Sequence, residues 1–141
     1  MIRTLLALAA GVGIGVGGMN AAHNHEGGEK VKVISATDVK EKLDGKDAKA
    51  TVVEVAIEPG QAGHAHRHPG PAFGYVLEGE YELGIDDRPT KVFKAGETFY
   101  EPTGCLHRVS KNPGKVKTRL IAVVLHPRDA KEIAVPEPKK K

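Results

Sequence analysis

The chain has 141 residues, enough for one domain that buries a core without disulfide staples. Its net charge of +3 is a mild surplus, part of it in the run Lys139-Lys140-Lys141, and no basic stripe interleaves with aromatics, which excludes a nucleic-acid interface. A single cysteine, Cys105, excludes an internal disulfide, while 17 Gly and 9 Pro point to many tight turns and a β-rich fold.

Residues 1–22 have the plan of a secretory signal peptide. Arg3 gives a positive start, an Ala- and Gly-rich apolar run follows, and Ala21-Ala22 offers a cleavage site. The run falls short of the roughly 20 apolar residues of a membrane span. The expected destination is the periplasm or the cell exterior, with no span left after cleavage.

Residues 23–50 are expected to be a polar linker followed by a first strand at 31–34. Thr37 or Asp38 can cap a short helix through Leu43, stopped by Gly45. From Thr51 the chain becomes β-branched and runs into the turn Pro59-Gly60. Residues 72–87 read as two strands joined near Gly79, and residues 90–102 as another pair around Ala95-Gly96. Short strands at 106–112 and 118–126 follow, and 127–141 is expected to be a tail. Seven or more strands with a turn every eight to twelve residues suggest an all-β sandwich or barrel over 51–126.

The segment Gly63-His64-Ala65-His66-Arg67-His68-Pro69 carries three of the seven histidines at alternate positions. On an extended strand these would share one face, and imidazole is a common ligand for transition metals. A further ligand must come from another strand. His107 is the candidate, because Pro102 and Gly104 give it a rigid approach. His64 is a possible additional ligand, and Glu101 and Cys105 are possible outer-sphere groups beside His107. Tyr75 and Tyr81 flank Gly79 and are candidates to line a cavity, Tyr75 on the less favourable alternation. His126, at a strand end before Pro127, is expected at the surface.

These residues resemble the two motifs of the cupin superfamily, in particular its small single-domain members. The first motif is Gly, five residues, His-x-His, three or four residues, Glu, six residues, Gly. Here it reads Gly60, His66-Arg67-His68, Ala72 and Gly79. The second is Gly, five residues, Pro-x-Gly, two residues, His, three residues, Asn. Here it reads Gly96, Pro102-Thr103-Gly104 and His107, with Asn112 one residue late. The resemblance implies a double-stranded β-helix, that is, a jelly-roll barrel. It also implies one divalent transition metal ion (Fe, Zn, Mn, Ni or Cu) on His66, His68 and His107. Ala72 stands where the family's glutamate ligand is usual, as in three-histidine cupins resembling thiol dioxygenases.

Two functions are consistent with this reading. One is a metal-dependent enzyme acting on a small molecule, a dioxygenase or an isomerase. The other is a non-catalytic module that binds a small ligand or senses metal. Exposed strand edges of a jelly roll favour a homodimer.

Overall fold

The computed structural model describes residues 22–24 and 28–138, so residues 1–21 of the expected signal segment lie outside it. Every regular element among the described residues is a strand: β1 (Ala22–Asn24), β2 (Glu29–Leu43), β3 (Lys46–Ile57), β4 (His66–Arg67), β5 (Ala72–Glu78), β6 (Glu80–Ile85), β7 (Lys91–Lys94), β8 (Thr98–Glu101), β9 (Leu106–Lys111), β10 (Thr118–Pro127) and β11 (Val135–Pro136). They form two antiparallel sheets. One has the order β1-β2-β3-β10-β5-β8 and the other β11-β4-β9-β6-β7.

Alternation along each strand decides which face is buried. In β5, Ala72, Gly74 and Val76 point inward while Phe73, Tyr75 and Leu77 face out. Val53, Val55 and Ile57 of β3 and Leu120 of β10 meet Tyr81, Leu83, Phe93 and Phe99 from β6, β7 and β8. This apolar filling fixes the spacing of the two sheets. It leaves polar inward positions on β8 and β9 at one end of the barrel, where Glu101, His107 and Ser110 are buried.

The expected helix up to Leu43 is absent. That stretch continues β2, with Thr37 opposite Ala50 and Val39 opposite Ala48. The reason is the turn after it. Asp44 and Gly45 have φ of 49° and 75°, the left-handed pair of a two-residue hairpin, and Leu43 pairs with Lys46. Asp-Gly therefore folds β2 back onto β3, and pairing overrides a weak helical preference. Two register shifts in β2 accommodate the long twisted ribbon.

Two other expectations change. The segment expected to be a linker contributes β1, paired with β2. The expected tail contributes β11, which adds to the edge of β4 with Val135 opposite Arg67. Arg67 also binds Glu137 at 3.0 Å, and the amide of Glu137 donates to the Ala65 carbonyl.

Candidate metal centre

The centre is built on the shortest strand of the barrel. β4 holds only His66 and Arg67, clamped between β9 and β11. His66 pairs directly with His107 of β9, so both side chains share the inner face. His68 follows the strand end, where its carbonyl accepts from the amide of Gly104. That bond ties the first histidine segment to the Pro102-Gly104 turn ahead of β9.

The outer nitrogen of each ring is engaged. His66 Nδ1 lies 2.8 Å from the His64 carbonyl, and His68 Nδ1 meets the Ile133 carbonyl. A carbonyl only accepts, so both Nδ1 atoms carry the proton and both Nε2 atoms are bare lone pairs. His107 Nε2 lies 3.1 Å from the Tyr81 hydroxyl, which lies 3.1 Å from Ser110 Oγ. Ser110 in turn reaches Glu29 at 3.5 Å. The carboxylate at the end accepts, so Ser110 donates to Glu29, Tyr81 to Ser110, and His107 Nε2–H to Tyr81. With donors running in that direction, His107 Nδ1 is bare as well.

The bare nitrogens face one another. His66 Nε2 is 3.2 Å from His68 Nε2 and 3.2 Å from His107 Nδ1. One ligand atom from each of the three residues lies within 4.8 Å of the others. Neutral imidazoles cannot hydrogen-bond through two lone pairs, and the arrangement is one that could hold a cation between them. Adjacent ligands on an ion with bonds of about 2.1 Å stand about 3.0 to 3.4 Å apart, between right-angle and tetrahedral geometry. The 3.2 Å separations fall in that window.

Burial favours the neutral form of His66 and His68. Burial, then the neighbouring His107, lowers the pKa of His66 to about 4. Burial also lowers that of His68. Burial holds the Tyr81 phenol well above its ordinary range, so it remains a donor. Burial raises the Glu101 carboxyl, but its neighbours His107, His68 and His66 outweigh it and hold the group below its usual value. Glu101 is therefore a carboxylate. It is 3% exposed, with one oxygen 3.2 Å from His107 Nδ1 and 3.5 Å from His68 Nε2.

The other candidates separate. His64 is exposed and contributes its backbone carbonyl, because β4 is too short to extend the alternation back to it. Cys105 precedes β9 in a turn, its amide bonded to Pro102. Its thiol is buried, and burial, then the Glu101 charge, pushes its pKa up to about 11, so it stays protonated and is a poor ligand. Tyr81 lines the centre, while Tyr75 is on the outer face. His126 is a correction: it is 3% exposed and bonds Thr51 at 2.9 Å across β3 and β10. Ser110, Glu29 and Ile133 carry no motif, and their roles arise from strand register and a returning segment.

The description of the cupin domain as a family matches residues 53–124, from the middle of β3 to the middle of β10, which span both histidine segments.

This chain belongs to the cupin family.

Solved cupin folds resemble it in shape. A conserved protein with a double-stranded β-helix domain from Klebsiella pneumoniae subsp. pneumoniae is 23% identical, with a TM-score of 0.61 over 83% of this chain and 91% of that one. Oxalate oxidase in complex with the substrate analogue glycolate is 25% identical, with a TM-score of 0.56 over 75% of this chain and 54% of that one. Oxalate decarboxylase from Bacillus subtilis, a protein with Mn(II) centres, is 21% identical, with a TM-score of 0.56. That match covers 77% of this cupin and 28% of the decarboxylase chain. No curated protein matches the sequence.

Proposed function

We propose that this cupin holds one divalent transition metal ion on His66 Nε2, His68 Nε2 and His107 Nδ1 and presents it to a small oxygen-donor molecule. The observation that carries the reading is the trio of ring nitrogens, with His66 Nε2 3.2 Å from each of the other two and all within 4.8 Å of one another, each ring fixed by a partner behind it. Such backing raises ligand basicity and locks the tautomer. Once bound, the ion supplies a Lewis acid with positions left for water, dioxygen or substrate. The chain's own part is to hold three neutral imidazoles in place and keep the Glu101 carboxylate beside them. The glycolate bound by oxalate oxidase makes small carboxylates the first substrates to try.

Elemental analysis of the protein from its native host tests this. About one Mn, Fe, Zn, Ni or Cu per chain is expected, and a metal-free protein that also takes up none on titration overturns it. Oxygen uptake or turnover with glycolate or oxalate then separates an enzyme from a binding module. The module reading draws support from enclosure: the His107 side chain is 4% exposed and the His68 side chain 12%, with residues 133–137 strapped along β4.

Export and pairing belong to the same reading. The pattern of residues 1–22 supports export, and fractionation of the native host tests it. The apolar outer face with Phe73, Tyr75 and Tyr100, about half exposed around a cleft of about 480 Å³, supports a homodimer through the sheet face rather than its edges. A monomer in sedimentation at micromolar concentration would overturn the pairing.

A further inference from the structure

We propose that Glu101 is a fourth ligand of the ion, supplied from β8 in place of the carboxylate that Ala72 cannot provide; this rests on the three-histidine reading above. Three observations carry it. Ala72 of β5 and Glu101 of β8 are direct cross-strand partners, and both are buried on the inner face. Their Cβ atoms therefore stand about 4.5 to 5.5 Å apart. The carboxylate stands one strand across from the motif position and faces the same space.

The second observation is what the carboxylate faces. Glu101 Oε2 is buried and has no hydrogen-bond partner. It lies 3.2 Å from His107 Nδ1 and 3.5 Å from His68 Nε2, the two atoms left without protons by the donor directions given above. An acceptor aimed at two acceptors is unsatisfied, and burying such an oxygen unpaired is costly. A cation among them satisfies all the groups together. The separations also match those of adjacent ligands on one ion, about 3.0 to 3.4 Å, to within about 0.1 Å.

The third observation is charge. Three neutral imidazoles leave the full double charge of the ion inside a protein interior. One carboxylate halves it, and an oxygen donor tilts the set toward Mn(II), Fe(II) or Zn(II) over Cu(I).

The test uses the full chain, with Mn(II) titrated by calorimetry and Co(II) followed by its visible absorption. Glu101→Gln keeps the shape and removes the charge. Its Mn(II) affinity is expected to fall by more than about 100-fold, beyond the 10- to 100-fold cost of losing an outer-sphere partner. Its Co(II) bands are expected to change in position and intensity. The exchange Ala72→Glu with Glu101→Ala returns a carboxylate to the first motif, and should restore both affinity and bands. Unchanged Co(II) bands in Glu101→Gln would overturn the proposal, as would a folded exchange variant that stays weak. If the unaltered protein binds neither metal, the three-histidine reading itself fails, an outcome distinct from the others.

Discussion

His66 and His107 are direct cross-strand partners whose facing ring nitrogens stand 3.2 Å apart. The pairing brings together residues 41 positions apart in the chain, and in the proposed centre both rings serve one ion.

Replacing either ring with alanine should therefore abolish stoichiometric metal binding while the far-ultraviolet circular dichroism of a β-barrel is retained. His64→Ala should bind metal as the unaltered protein does, because only its carbonyl is used. Elemental analysis after dialysis checks both. A metal-loaded His107→Ala variant would contradict the assignment.

Acid should weaken the metal-free fold. Above pH 6.5 the His66 ring is neutral in folded and unfolded chains alike, and its full contribution is present. As the pH falls, the unfolded chain takes up a proton that the buried ring refuses until about pH 4. The loss across that window is roughly 3 kcal/mol for His66, at 1.36 kcal/mol per pKa unit. His68 acts in the same direction, as does Glu101, whose lowered pKa adds stability that is lost at still lower pH. Urea melts of chelator-treated protein from pH 7.5 to 4 should show the midpoint falling, and a flat profile would count against neutral buried rings.

Tyr81→Phe removes the acceptor behind His107 and breaks the string to Ser110 and Glu29. Metal affinity should drop by about 10- to 100-fold with little change in the fold, the usual cost of losing an outer-sphere partner. Competition with a chromogenic chelator measures the drop.

A chain ending at residue 132 loses the carbonyl that orients His68 and the strand that clamps β4. It should bind metal more weakly than the full chain, while the hydrophobic core, apart from the packing of Ile133, stays in place. Arg67→Ala removes the tie to Glu137 alone and should have a smaller effect. Equal affinity in the shortened chain would show that the strap has no part in the centre.

Gly45→Ala tests the hairpin that replaced the expected helix. With φ at 75° the added Cβ costs about 1 kcal/mol or slightly more, read as a lower urea midpoint. No change would show that the turn tolerates another geometry.

The sequence exposed the barrel and the convergence of His66, His68 and His107 because turn residues and motif spacing are local signals. Alternation alone misled at His64, since it assumes a strand long enough to carry it, and β4 is two residues long. The strand-end place before Pro127 misled at His126, whose burial depends on Thr51 lying across the sheet. The apparent cap at Thr37 or Asp38 was outweighed by pairing with β3, a contact between segments that no window along the chain contains. Glu101 was visible beside the second motif, but its position opposite Ala72 depends on the register of β5 and β8. The Tyr81 string and the Ile133 carbonyl were hidden for the same reason.

The hydrogen bond from His68 to Ile133 spans 65 residues. During synthesis, the last histidine to be oriented waits for a stretch made long after it. A nascent chain halted between His107 and Ile133 would carry all three imidazoles and still lack the carbonyl that orients His68. In the proposed centre, ion selection is thereby tied to the completed polypeptide and to whichever compartment it folds in.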